Sequence, residues 1–216
     1  MTSSETEAGM CTADICTADI MTRAIEGDEL SLRRLYDACF AAAFRLACLL
    51  LGDTHDAEEV VQDAFVYAFR NLARYDAEQG SFWTWLRVVV VSRCRNKRRR
   101  KWLPRVSLDV INEAGLTVID PKPTSNPAQV LERSETRRVI WDALQQVSPG
   151  AREALVLRYF EGLSYKEMAE ALGCSVDAAR SRVVHGKVQL RRLLTASRGM
   201  LGVQIDMAHL ADVGST

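Results

Sequence analysis

LSYKEMAEALGCSVDAARSRVVHGKVQL, residues Leu163 to Leu190, reads as two helices joined by a sharp turn, and the rest of the chain is arranged around it. Ser164 and Glu167 have capping-box spacing. The hydroxyl can accept from the third helical N–H, and the carboxylate can reach back to the Ser164 N–H. Met168, Ala169 and Leu172 give the first helix one apolar face. Gly173 stands where a left-handed C-terminal cap is wanted. Ser175 can cap the second helix, with Asp177 in its positive first turn. Val176, Ala179, Val183 and Leu190 fall on one side of that helix. Ala178, Ser181, His185 and Arg192 fall opposite, flanked by Asp177 and Arg182. A short polar and basic face, braced by a preceding helix, is how a helix-turn-helix reads the major groove. Ser164 and Tyr165 at the first helix start, and Lys187 and Arg192 further along the second, complete the expected duplex-contacting set.

At 216 residues, nearly half of them apolar, the chain can form one ordinary domain or two small ones. Its formal net charge is zero, but the charge is unevenly placed. Residues 1–30 hold seven acids against the single Arg23, whereas residues 91–105 hold eight Arg or Lys and no acid. A block of that kind is an electrostatic footprint for phosphate. The six cysteines, at 11, 16, 39, 48, 94 and 174, form no C-x-x-C pair and read as reduced thiols of a cytoplasmic protein. The apolar stretch around Ala41–Leu51 is interrupted by Arg45 and is shorter than the roughly 20 residues a bilayer requires. Neither a signal peptide nor membrane insertion is expected.

In chain order, residues 1–21 form an acidic leader in which CTADI occurs twice in tandem, and disorder is expected there. Met21 offers an alternative start. From Thr22 a helical pattern runs through Leu32, Leu35, Cys39, Phe40, Ala43, Phe44 and Leu50. After Gly52 and Asp53 a second helix buries Val60, Val61, Ala64, Phe65, Ala68 and Phe69, and leaves Gln62, Asp63 and Glu59 on faces with no core role. A loop, RYDAEQG (74–80), precedes SFWTWLRVVVVSRCRNKRRRK, whose aromatics lead into cations. That combination suits single-strand capture, with bases stacked on rings and cations along the phosphates. Successive helical residues lie about 100° apart. On that basis Phe82 and Trp85 are expected to pack inward and Trp83 to face the Tyr75–Ser81 loop. Arg95, Lys97, Arg98 and Arg99 would lie along the phosphates. Pro104, Pro121, Pro123 and Pro127 mark residues 103–128 as a flexible linker. Helices resume over 129–196, with Ser148–Pro149 as a cap and first-turn pair. Residues 197–216 form a weakly patterned tail. The expected fold is all-α: two small helical domains, 22–102 and 129–196, joined by the linker.

Three stretches, taken together, resemble the bacterial extracytoplasmic-function (ECF) sigma factors, compact members of the sigma-70 superfamily with only regions two and four. DAEEVVQDAFVYAFR (56–70) is similar to the polymerase-docking segment of region two. RYDAEQGSFWTWL (74–86), with the basic helix after it, is similar to the segments that open the minus-ten element. ALQQVSPGAREALVLRYFEGLSYKEMAEALGCSVDAARSRV (143–183) resembles region four, which reads the minus-thirty-five element. The resemblance implies a transcription-initiation protein without catalysis of its own. Its implied partners are core RNA polymerase, through the largest-subunit clamp helices and the flap, promoter DNA, and an anti-sigma factor as a further candidate. Core docking is then expected through Glu59, Gln62, Asp63 and Phe65, and strand opening through Trp83, Arg95, Asn96, Lys97, Arg98 and Arg99. Where relatives often carry an Arg-Asn pair near 91–92 and an Asp near 96, this chain has Val91, Ser92 and Asn96. Ala179 and Gly186 also depart from the usual recognition helix.

A stand-alone helix-turn-helix regulator would account for 163–190 but leave the Gln62/Asp63 face and the 82–101 helix without a role. An enzyme is not indicated. There is no Walker loop, no metal-binding histidine cluster and no nucleophile elbow, and His55, His185 and His209 are far apart in sequence. No cofactor or metal is expected.

Overall fold

The computed structural model describes residues 18–102 and 127–201, with side chains for 19–100 and 137–196. Every regular element among them is helical. The first unit holds α1 (Ala18–Ile25), α2 (Glu29–Leu51), α3 (Thr54–Arg70) and α4 (Phe82–Trp102). The second holds α5 (Pro127–Gln146), α6 (Pro149–Leu155, continued by one π-helical turn over Val156–Phe160), α7 (Tyr165–Leu172) and α8 (Val176–Leu201).

Most helix ends follow the local chemistry. The Asp28 carboxylate accepts from the Ser31 amide at 2.9 Å and starts α2, and Asp53 accepts from the Asp56 amide at 2.8 Å and starts α3. Ser81 caps α4 by accepting from the Thr84 amide at 3.2 Å, as its position predicts. Such caps answer donors that have no partner within the helix. Ser148 differs: Pro149 does open α6, but the Ser148 side chain makes no cap bond, and its amide instead donates to Gln189 Oε1 at 2.9 Å. The Val88–Val91 run stays helical, because α4 buries Val90 and Val91 against α2 and α3 instead of pairing with a strand.

Two boundaries depart from the pattern. A helix begins at Ala18, inside the stretch read as leader, and buries Met21 and Ala24 in the shared core. The tandem CTADI copies hide this, since only the second is followed by apolar residues at helical spacing. At the other end α8 continues to Leu201, past the expected limit of 196. No proline lies between 196 and 201, and Gly199 does not end the helix.

In the first unit α2, α3 and α4 pack on one another around Leu35, Leu46, Leu50, Val61, Phe82, Leu86 and Val90, all essentially inaccessible. In the second, α6, α7 and α8 pack around Val147, Leu157, Met168 and Val183. Each such side chain contributes about 1.5–3 kcal/mol by leaving water. The two units are not independent. Residues of both belong to one contiguous apolar cluster, α2 lies against α5 and α6, and α4 lies against α7.

Candidate functional site

Three polar faces emerge, one on each of α3, α4 and α8. On α3 the apolar positions Val60, Val61, Ala64 and Ala68 face the core, leaving Gln62 and Asp63 exposed, as the periodicity predicts. Phe65 does not join that face. It is 3 % exposed, its ring 4.7 Å from that of Tyr36 and 5.6 Å from that of Phe69, so it supports the helix from beneath and is corrected from a docking residue to a core residue. Glu59 is exposed and already engaged: its carboxylate accepts a hydrogen bond from Lys97 of α4, which also pairs with Asp56 at 3.4 Å. The Lys97 bond holds the Glu59 carboxyl below its usual range, against a small opposing effect of burial. Burial by itself would lower the Lys97 ammonium, but Glu59 and Asp56 outweigh it and raise its pKa. Two residues expected at different interfaces are thus partners of one another.

On α4 the cations divide. Ser92, Asn96 and Arg99 lie at i, i+4 and i+7, all exposed, and form one open face. Arg95 and Arg98 turn the other way, into the second unit. Arg95 Nε meets Glu153 Oε2 at 3.0 Å, and its Nη1 donates to the Leu172 carbonyl at 2.9 Å. Arg98 pairs with the other oxygen of Glu153 and donates to the Leu50 carbonyl at 3.2 Å. Burial lowers the pKa of both guanidiniums. Arg152 reaches the same Leu50 carbonyl at 3.2 Å, and burial, then the charge of Arg98, pushes it down to about 10. Free carbonyls at a helix C-terminus are partially negative, which is why two arginines converge on the end of α2.

The aromatic triplet also differs from expectation. Phe82 packs inward as predicted, but Trp83 is buried too, at 7 % exposure, with its indole on the Glu161 side, where it favours the charged carboxylate. Trp85 is the half-buried ring, with its centroid 6.0 Å from those of Tyr75 and Phe82. The second unit covers the flank of α4 that carries Trp83, a surface that spacing along α4 alone does not show. Arg87, one turn on, pairs with the same Glu161 at 3.6 Å. Burial raises the Glu161 carboxyl, opposed by Arg87 and by the Trp83 hydrogen bond.

The helix-turn-helix forms as the opening stretch predicts. Ser164 and Glu167 make both bonds of the capping box, at 3.3 Å into the hydroxyl and 2.8 Å into the carboxylate. Gly173 caps α7 at φ 58°. Ser175 accepts from the Ala178 amide at 3.2 Å to start α8. Ala179 and Val183 are buried, while Asp177, Ser181, His185 and Arg192 are exposed and Ala178, Arg182 and Lys187 half-exposed. His185 shares a 2.7 Å hydrogen bond with Gln189. Tyr165 lies between two guanidiniums, with Arg158 and Arg180 at 4.9 and 5.3 Å from its ring centroid. Nothing in the spacing singles out Arg158 or Arg180. Arg180 is exposed beside Ser181, and Tyr165 holds it there by cation–π attraction.

Residues 33–103 match the sigma-70 region 2 profile, and residues 137–190 match that of sigma-70 region 4. The chain is 31 % identical to the ECF RNA polymerase sigma-E factor of Escherichia coli over 140 residues, 61 % of this chain and 70 % of that one. It belongs to the ECF sigma-factor family. It is also 34 % identical over 151 residues to the ECF RNA polymerase sigma factor SigE of Mycolicibacterium smegmatis, matching 70 % of this chain and spanning 56 % of the SigE length. Its fold resembles that of the sigma factor RpoE from Bartonella quintana, solved in complex with the anti-sigma factor NepR, at TM-score 0.55 and 19 % identity, covering 77 % of this chain and 98 % of that one. ECF sigma factors direct RNA polymerase to promoters and are not enzymes. By the matched ranges, α2, α3 and α4 belong to region two and α5–α8 to region four. Among the described residues, no helix of this sigma factor is long and apolar enough to cross a membrane.

Proposed function

We propose that this chain docks on core RNA polymerase through Gln62, Asp63 and Glu59 of α3, contacts the opened minus-ten strand along α4, and reads the minus-thirty-five duplex with α8. The observation that carries the reading is the division of α8. Its Ala179 and Val183 side is sealed against α6 and α7, while Ser181, His185 and Arg180 stand in solvent beside a fully formed capping box. Arg180, Arg182 and Lys187 supply phosphate attraction, and Ser181 and His185 the hydrogen-bonding groups for base edges. Ser92, Asn96 and Arg99 are the α4 groups already open to a strand. A cytoplasmic location follows from partnership with the polymerase, and an anti-sigma partner fits the precedent of the RpoE complex.

The test is reconstitution with core polymerase. The wild-type chain should give promoter-specific transcripts from genomic DNA, and Asp63→Arg should compete poorly for core enzyme while keeping its helical circular dichroism. Ser181→Ala with His185→Ala should keep core binding and lose upstream sequence preference. An Asp63→Arg chain that competes for core as the parent does removes the α3 assignment. Double-variant chains with unchanged promoter choice remove the α8 assignment.

A further inference from the structure

Lys97 is a cation of α4 that a DNA strand does not reach freely. Its side chain is 18 % exposed and lies between two carboxylates of α3: Glu59, which accepts its hydrogen bond, and Asp56 at 3.4 Å. Asp56 and Glu59 stand at i and i+3 on α3, where like charges repel. One ammonium between them turns that repulsion into two attractions. A phosphate approaching Lys97 would have to displace both carboxylates while being repelled by them. Lys97 is committed to α3.

Its neighbour one turn back points the same way. Arg93 lies over the Tyr67 ring of α3, 4.8 Å from the centroid, a contact that cation–π attraction favours. Arg93 and Lys97, at i and i+4 of α4, thus hold α3 at Tyr67 and at Glu59. Glu59, Asp63 and Tyr67 follow one another at four-residue spacing and share one stripe of α3. The two cations therefore brace both ends of the stripe that carries the exposed Asp63. Beside them Ser92, Asn96 and Arg99 keep the separate open face of α4. The helix has one edge for α3 and another for a strand.

We propose that Lys97 is a positioning residue for polymerase docking and not a strand contact: it fixes the Glu59 carboxylate in one orientation toward a cationic group of the core enzyme. The Glu59 side chain is 49 % exposed, so without Lys97 its torsions are free in solvent and docking has to immobilise them. Ordering one such side chain at an interface weakens binding by about two- to tenfold. The Lys97 bond uses Oε2 alone, and Oε1 keeps its lone pairs for the partner. Two carboxylates against one ammonium leave the trio one net negative charge, which a cation on the core enzyme completes.

The inference rests on the reading of α3 as the docking helix, and Asp63→Arg separates the two. Full-length chains carrying Asp63→Arg, Lys97→Gln, Lys97→Arg, Glu59→Gln, or Lys97→Gln with Glu59→Gln are compared with the parent in two measurements. One is the rate of dissociation from core polymerase. The other, at saturating core, is affinity for a forked minus-ten fragment of a promoter that the reconstituted enzyme transcribes. Lys97→Gln should leave core about two- to tenfold faster, Lys97→Arg should behave as the parent, and fork affinity should stay the same. In the Glu59→Gln background Lys97→Gln should add nothing, because it acts through that carboxylate, whereas a lysine that merely stabilised the fold would add its loss in either background. Dissociation that is unchanged or slower, or a loss that adds to that of Glu59→Gln, overturns the positioning role. Weaker fork binding with unchanged core binding overturns it too and returns Lys97 to the strand. A weakened Asp63→Arg beside an unaffected Lys97→Gln overturns the inference alone; if Asp63→Arg also holds core as the parent does, the docking reading of α3 falls with it. Should Lys97→Gln lose its helical circular dichroism, Lys97→Met keeps the aliphatic stem without the charge, and the same measurements decide.

Discussion

Alanine in place of a glycine inside a helix ordinarily adds about 1 kcal/mol of stability. At Gly186 the opposite is expected. A Cβ built there would lie 2.8 Å from Leu155 Cγ, 3.0 Å from its Cδ1 and 3.1 Å from the Ala151 carbonyl oxygen. Carbon atoms rest at about 3.5–4.0 Å, so either α8 backs away from α6 or Leu155 leaves its place. Neither is cheap, because Leu155 and Ala151 are both buried and one of the contacts is backbone. Overpacking of this kind costs about 1–3 kcal/mol. Set against the propensity gain, Gly186→Ala should lose about 1 kcal/mol, or about 2–4 °C in Tm for two units that share one core. Thermal unfolding followed by circular dichroism measures it, and a coupled pair makes the reasoning sharper. Leu155→Ala removes two of the three obstructing atoms, so the double variant should be less destabilised than the sum of the singles by more than about 0.5 kcal/mol. A Gly186→Ala chain more stable than the parent, or strict additivity, would refute the claim that close α6–α8 approach is what glycine serves here.

Burial pushes the Cys48 thiol up to about 11 and that of Cys94 up to about 12. In the native chain at about pH 8 neither should alkylate, since thiolate is the reactive form, while half-exposed Cys174 should; peptide mapping after brief iodoacetamide treatment checks this. Ser164→Ala should cost about 1 kcal/mol at neutral pH by removing half the capping box. The Ser164 hydroxyl holds the Glu167 carboxyl below its ordinary 4.5. A lowered carboxyl pKa contributes stability that is full above the unfolded value and lost as pH falls through the folded one. Urea midpoints of Ser164→Ala and the parent should therefore draw closer as pH falls below 4.5 and through the lowered value, and a constant gap would count against the carboxylate. Arg182→Ala should weaken binding to all promoters alike and flatten the salt dependence if Arg182 contacts phosphate, or change sequence preference at a cost of about 1–3 kcal/mol if it contacts a base. Neither change in a binding titration would leave it without a direct role.

What could be read from sequence here was whatever is decided within one helix or its neighbour. The box at Ser164 and Glu167, the caps at Ser81 and Ser175, the Gly173 turn and the Ala179/Val183 stripe all depend on residues within a few positions, and all stand as the spacing predicts. Trp83, Arg95, Arg98 and Phe65 were placed on faces by the same logic and lie elsewhere, because their surroundings come from another helix or the other unit. Periodicity tells which residues share a face, but not whether a second surface covers it. The buried glutamates did carry a usable signal. Glu153 stands between Ala151, Ala154 and Leu155, within a run that is otherwise apolar enough to be core. A carboxylate in such a position is tolerable only with a cation brought to it, and the densest cations in the chain are those of residues 93–101. An acid with no reason to be inside, and a basic helix with more charge than one open face can use, together imply a contact between regions two and four. Neither feature implies it alone, because an isolated acid on a helix is ordinarily solvated and an isolated basic run is ordinarily a phosphate footprint.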